Sequence, residues 1–249
     1  MKIIAGNWKM NKTNAETEKF FDEFWKLVDE PPNKVIICAP FTSLATAYSM
    51  CEDSGIEIGA QNVHHERGGT FTGEISADML LELGVKYVLA GHSERRAMLG
   101  ETDEFINQKV KSAINAGLHV ILCIGETLDE LSAGKTFDVL KRQLEKGLAG
   151  VGNTKNIYIA YESVWAISGG DPNKPKPIAT TDQIATVHAF IKNIINVPVL
   201  YGGSANDQNM HEIFSIPNVD GALIGGASLV PEKFAKMVSW STTNSKKPC

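Results

Sequence analysis

Residues 157–177 read IYIAYESVWAISGGDPNKPKP. Ile157 to Tyr161 have the Ile, Tyr and Ala content of a strand buried on both faces, and Glu162 stands where that strand stops. A carboxylate in such a place costs free energy unless something needs it. Behind it come an apolar tip, Val164 to Ile167, and a Gly- and Pro-rich tail that suits neither helix nor strand. The segment reads as strand, charged end and long loop.

The same figure recurs along the chain. Short apolar runs begin at Lys2 (KIIAGN), Lys34 (KVIICAP), Ile56 (IEIGAQ), Tyr87 (YVLAG), His119 (HVILCIG), Ile157 (IYIAYE), Pro198 (PVLYGG) and Gly221 (GALIGG), which makes eight strand candidates. Between them lie stretches of helical periodicity such as ETEKFFDEFWKLVDE, FINQKVKSAINAG and TFDVLKRQLEKGLAG. Strands apolar on both faces, each followed by a crossover helix, predict an α/β fold with an all-parallel sheet. A chain of about 250 residues with such units repeated eight times matches a (β/α)8 barrel. A doubly wound open sheet is the alternative. No linker interrupts the pattern, so residues 1–249 are expected to form a single (β/α)8 barrel domain with eight parallel strands.

Composition narrows the function. With 43% hydrophobic residues the chain can bury a full core, and its net charge of -5 argues against nucleic acid or an anionic membrane as a partner. A local basic pocket for a small anion, such as a phosphorylated metabolite, remains compatible with that charge. The start, MKIIAGNWKMN, turns polar after a few apolar residues, and no run approaches the roughly 18 apolar residues of a membrane span. A cytoplasmic protein is expected. Cys38, Cys51, Cys123 and Cys249 show no CxxC or zinc-ligand spacing, which suits free thiols in a reducing compartment. Asn11-Lys12-Thr13 matches the glycosylation sequon, but without a signal peptide its use is not expected.

A barrel of this kind gathers its chemistry at the C-terminal ends of its strands. Asn7 and Lys9 follow the first strand, Gln61 the third, His92 and Glu94 the fourth, and Glu162 ends the sixth. The last two strands end in Tyr201-Gly202-Gly203-Ser204 and Gly225-Gly226, where glycines let backbone N–H groups approach an anion. Each candidate also has a plainer reading. Glu162 suits a solvated cap or half an ion pair, Lys9 a surface cation, and His92 a satisfied core histidine, while Arg95 and Arg96 suit bidentate carboxylate pairs. His64-His65-Glu66 looks like a metal cluster, yet adjacent side chains diverge and no partner histidine follows at helical spacing. Ala133 to Thr136, AGKT, resembles the end of a phosphate loop, but Asp129 stands where its first glycine is required, so it reads as a surface turn. No G-x-G-x-x-G follows a strand, which argues against a dinucleotide.

Taken together, GNWKMN (Gly6 to Asn11), GHSERR (Gly91 to Arg96), CIGE (Cys123 to Glu126), AYE with VWAI (Ala160 to Ile167), YGGS (Tyr201 to Ser204) and DGALIGGASL (Asp220 to Leu229) closely resemble the triosephosphate isomerase family, in family order over essentially the whole chain. The resemblance implies a TIM barrel isomerase that interconverts dihydroxyacetone phosphate and D-glyceraldehyde 3-phosphate through an enediol or enediolate, without cofactor or metal, in glycolysis and gluconeogenesis. It makes Glu162 the base, His92 a neutral electrophile kept so by a helix N-terminus, and Lys9 with Asn7 the groups that steady developing charge and substrate. Triosephosphate isomerase is itself a standard illustration of such pKa tuning and of lid closure. Phosphate binding falls, by the same resemblance, to Ser204, Gly225 and Gly226 with one lid residue, Ser168, and supporting places to Glu94, Cys123 and Tyr201. The segment QNVHHERGGTFTGEIS resembles the family's dimer loop, with Phe71 and Thr72 at the tip, and implies a homodimer.

The chain departs from the family at the segment quoted first. The family's lid runs Glu-Pro-Val-Trp-Ala-Ile-Gly-Thr-Gly-Lys; here Ser163 replaces the Pro, Ser168 the first Gly and Asp171 the Lys, and an insertion of about six residues follows. Lid closure and the phosphate-binding lid amide are expected to differ, and the reaction type is not. Two other functions fit the barrel. One is a phosphoribosyl isomerase or a metal-dependent pentose-phosphate epimerase, although an epimerase's metal-binding His and Asp at strand ends are missing. The other is a barrel that has lost catalysis and serves as a binding or structural protein, against which Asn7, Lys9, His92 and Glu162 argue.

Overall fold

Strand periodicity becomes geometry in a computed structural model, which describes residues 1–167 and 178–241. The strands are β1 (Ile3–Asn7), β2 (Lys34–Ala39), β3 (Glu57–Ala60), β4 (Tyr87–Ala90), β5 (His119–Ile124), β6 (Ile157–Tyr161), β7 (Val199–Tyr201) and β8 (Gly221–Ile224). Each pairs in parallel with the next, and β8 pairs with β1 (Ile3 opposite Gly221), so the sheet closes into a barrel. Closure leaves no sheet edge to aggregate. The doubly wound alternative is thereby set aside.

Alternation along each strand divides the core into two shells. Ala5, Ile36, Cys38, Leu89, Ile121, Cys123, Tyr158, Ala160, Leu200 and Leu223 fill the barrel interior. Ile4, Val35, Ile37, Val88, Val120, Leu122, Ile159 and Ile224 face outward and pack with the helices. Strands buried on both sides explain the near-continuous apolar runs of the sequence.

Helices follow the expected stretches, with ends set by local chemistry. Thr13, Thr127 and Thr180 cap three helices through reciprocal bonds with Glu16, Glu130 and Gln183. The first helix, Asn14–Phe24, stops well short of the periodic pattern that runs on to Glu30. Trp25 caps it, a turn closed by Leu27 N and Val28 N on Phe24 O follows, and Pro31 keeps Glu30 itself out of the helical region. Cys38, Cys51 and Cys123 are free and buried. Cys249 lies outside the described residues, as do Ser168, Asp171 and the insertion. Among the described residues no helix is long and apolar enough to cross a membrane.

Candidate active site

The barrel's inward positions decide what reaches its mouth. On β1, Ala5 points in, so Asn7, two residues on, does too, and it is 5% exposed. Asn7 Oδ1 accepts from Lys9 N at 3.0 Å, and Gln61 Nε2 donates to Lys9 O at 2.9 Å and to Cys38 O at 2.9 Å. Between these two grips Lys9 holds a φ of 52°, a left-handed conformation that costs a non-glycine residue on the order of 1–3 kcal/mol. The strain turns the ammonium toward the mouth, where Nζ pairs with Glu94 Oε1 at 2.7 Å.

On β6 the same alternation runs Tyr158, Ala160, Glu162, placing Glu162 inward at the strand end with 1% exposure. Gly125 makes room for it: a Cβ there would overlap the Glu162 carbonyl oxygen. After β4, Gly91 adopts a φ of 73° and turns the chain so that His92 caps the helix Ser93–Leu99. His92 Nδ1 accepts from Glu94 N at 3.3 Å, which assigns the proton to Nε2. Nε2 lies 2.8 Å from Glu162 Oε1, and Glu162 Oε2 accepts from Ser93 N at 2.8 Å. Both carboxylate oxygens of the expected base are therefore occupied by protein donors. This is a docked base.

Burial opposes charge on the His92 ring, but the Glu162 carboxylate, its hydrogen bond and the nearby Glu94 outweigh that, so the pKa lies above the ordinary imidazole value. Nδ1 nonetheless accepts from Glu94 N, a role that only the neutral ring expected from the resemblance can fill. The amide at the helix N-terminus, 3.3 Å from Nδ1, favours the neutral ring, and the carboxylate 2.8 Å from Nε2 favours the charged one. A cavity of about 250 Å³ opens beside these groups, lined among others by Asn7, Lys9, Gln61, His92 and Glu94.

Across the mouth, β7 and β8 present backbone. A Cβ on Gly225 would sit 3.6 Å from Lys9 Cε, and one on Gly226 would meet nothing within 4 Å. The turn is secured from behind, where Ser228 N and Oγ donate to Gly225 O at 2.9 and 2.7 Å and Trp8 Nε1 donates to Ser228 O at 3.2 Å. Ser204 Oγ donates to Ala166 O, tying the loop after β7 to the turn Val164–Ala166. Trp165 Nε1 and Tyr161 Oη donate to the fully buried Glu126 Oε1 at 2.7 and 3.1 Å. Burial holds the Glu126 carboxyl above its usual range against those bonds.

The other two supporting residues differ in place. Tyr201 points outward into the strand–helix layer beside Tyr161 and His188, because its neighbour Leu200 takes the inward position. Cys123 lies inside the barrel near Glu162, with its thiol pushed well up by burial and by that carboxylate. In the loop after β3, Phe71 is 42% exposed and packs on the His64 ring at 4.4 Å, Thr72 is exposed, and Arg67 forks onto Asp78 at 2.9 and 2.7 Å. Sequence reasoning missed the Ser93 amide and Gln61's hold on Lys9; Arg95 and Arg96 pair with carboxylates as expected, Glu101 and Asp103 each at 2.6 Å, and Arg96 Nε and Nη2 also donate to Gly91 O and Cys123 O at 2.8 and 3.2 Å. Ser93 acts through its backbone, which side-chain chemistry does not announce.

Comparison with known proteins agrees with this layout. The family model described as triosephosphate isomerase matches residues 2–241. Triosephosphate isomerase of Aquifex aeolicus is 46% identical over 248 residues, covering 95% of this chain and 98% of that protein. The protein of the same name from Acaryochloris marina is 46% identical over 241 residues, with 95% and 98% covered. The crystal structure of triosephosphate isomerase from Bartonella henselae superposes with a TM-score of 0.85 at 40% identity, covering 95% of this chain and 97% of that one. With matched sequence running from β1 past β8 in a closed parallel barrel, the chain belongs to the triosephosphate isomerase family.

Proposed function

We infer that the chain interconverts dihydroxyacetone phosphate and D-glyceraldehyde 3-phosphate, moving a proton between C1 and C2 of the triose through an enediol or enediolate. The observation that carries the role assignment is the 2.8 Å contact between His92 Nε2 and Glu162 Oε1 beside a cavity that Lys9 and Asn7 also line. Glu162 is the base. To reach substrate it must release Ser93 N and His92 Nε2, and the same movement frees the Nε2 proton to hydrogen-bond the substrate oxygens. Base and electrophile are in this way exposed together. Departure of the Glu162 charge also removes the main feature that raises the His92 pKa, which favours the neutral ring for that role.

Lys9 supplies fixed positive charge for the oxyanion and the phosphate, and Asn7 both binds substrate and holds the Lys9 backbone. Phosphate is assigned to backbone N–H groups at Ser204, Gly225 and Gly226, where bare glycines permit close approach. Glu94 supports Lys9 and His92, and Cys123 packs beneath the base. A coupled assay with D-glyceraldehyde 3-phosphate tests the reaction: turnover is expected, and its absence in folded protein sinks the reading.

The protein is further proposed to be a cytoplasmic homodimer of one barrel domain spanning residues 1–249. Exposed Phe71 at the tip of its loop, and exposed Met10, Met98 and Leu99 around the cavity, support a second copy that covers them through the loop of Phe71 and Thr72. Light scattering at micromolar concentration is expected to give the mass of two chains. A monomer with full activity would refute the assembly.

A further inference from the structure

Tyr161 and Trp165 belong to the outer core, between the sheet and its helices, and there they line a second cavity of about 300 Å³. It shares no residue with the cavity at the mouth. Glu126 lines it too and is fully buried, whereas Phe137, at the start of the helix Thr136–Gly147, and Asp182 and Thr186, on the helix Thr181–Ile194, are exposed at its rim. A cavity of that size can hold a small organic molecule.

The chemistry of its lining is one-sided. Trp165 Nε1 and Tyr161 Oη both bond Glu126 Oε1, at 2.7 and 3.1 Å, and the residue's own amide also favours the charged form. Glu126 Oε2, by contrast, is buried without a hydrogen-bond partner. A buried carboxylate oxygen left without a donor is costly, and the groups that do reach this carboxylate are all neutral. Two of the residues that line the cavity are acids, Glu126 and Asp182, and none is basic. Anions are repelled from such a place, and what it lacks is a cation. The rest of the wall is apolar and aromatic, with Leu131, Phe137 and Trp165, and aromatic faces attract an ammonium group.

We propose that this cavity binds a small organic monocation, a primary ammonium on an apolar body, with its N–H groups on Glu126 Oε2 and its body against Leu131, Phe137 and Trp165. Oε2 is shielded from bulk water, and Phe137, 42% exposed at the rim, is the side chain whose rotation opens the way to it. The site is separate from the barrel mouth, so the proposal stands or falls independently of the reaction catalysed there.

Benzylammonium is the probe, and benzyl alcohol, of nearly the same shape without the charge, is its control. Calorimetric titration of the full chain should saturate with benzylammonium at a Kd of about 1 mM or tighter. Benzyl alcohol should bind at least about tenfold more weakly, because hydrogen bonds between charged partners are the stronger ones. Glu126→Gln keeps an acceptor for Trp165 and Tyr161 but sets an amide donor in place of Oε2, so benzylammonium should lose at least about tenfold in affinity while circular dichroism stays unchanged. Thr186→Trp, at an exposed position, fills the cavity from its rim with Glu126 intact and should also weaken the probe; it decides the matter if Glu126→Gln does not fold. Failure of benzylammonium to saturate, equal affinity of ammonium and alcohol, or an unchanged Kd in Thr186→Trp or in folded Glu126→Gln overturns the proposal.

Discussion

At the ends of β4 and β6 the barrel mouth is made of side chains that hold one another, whereas at the ends of β7 and β8 it is made of backbone from which side chains are missing. Glu162 is fixed by Ser93 N and His92 Nε2, and His92 by Glu94 N. Gly225 and Gly226 present bare main chain, braced from behind by Ser228. The difference follows from what each side handles. A proton transfer needs one atom placed to a fraction of an ångström, which side-chain bonds supply. An anion needs several N–H groups at close range, which glycine supplies. Lys9 stands between them, paired with Glu94 on one side and facing Gly225 on the other, where an added Cβ would fall 3.6 Å from its Cε.

Substitutions can break this division, beginning with the residue that belongs to both sides. Lys9→Met should lower kcat/KM by about 10²–10³-fold in the coupled assay, through both a fall in kcat and a rise in KM. A loss confined to KM would move Lys9 wholly to the phosphate side. Gly125→Ala attacks the positioned side alone, because its Cβ overlaps the Glu162 carbonyl. A displacement of that order should cost about 10²-fold in kcat with KM little changed. Unchanged kcat would show that the placement of Glu162 tolerates what the geometry forbids.

A smaller effect comes from pH. His92 is held above its usual pKa chiefly by Glu162, so the docked pair contributes stability that is fully present below the unfolded value of about 6.5. That contribution fades as pH rises through the folded value. Glu162→Gln removes it, so the melting-temperature gap between the two proteins should be widest in mild acid and narrow toward alkaline pH. A gap that ignores pH would mean that the pair is not charged in the docked state. The least effect is expected at Gly226→Ala, where an added Cβ meets nothing within 4 Å. Its melting temperature should match the parent while KM rises a few-fold, and a fall in kcat at constant KM would put Gly226 on the wrong side of the comparison.

The two sides also differed in how far the sequence disclosed them. The eight apolar runs foretold the closed parallel sheet, and a carboxylate ending the sixth run marked Glu162 as a group at the barrel mouth. What stayed hidden acts through main chain or through register. Ser93 contributes an amide, Gln61 grips the Lys9 carbonyl from another strand, and Tyr201 turned outward because a three-residue strand, Val199–Tyr201, sets Leu200 inward. The first helix likewise ends at Phe24, inside a periodic stretch that gave no sign of a stop there. Periodicity reports faces, but not which backbone atoms the faces bring together.

The central claim is that Glu162 carries the proton and only rests on His92 and Ser93. The direct test is turnover of Glu162→Gln, measured beside its circular dichroism. Gln keeps the shape of the side chain and one acceptor oxygen but cannot take a proton, so kcat should fall at least about 10²-fold while the fold is unchanged. Near-native turnover in the folded variant would contradict the account.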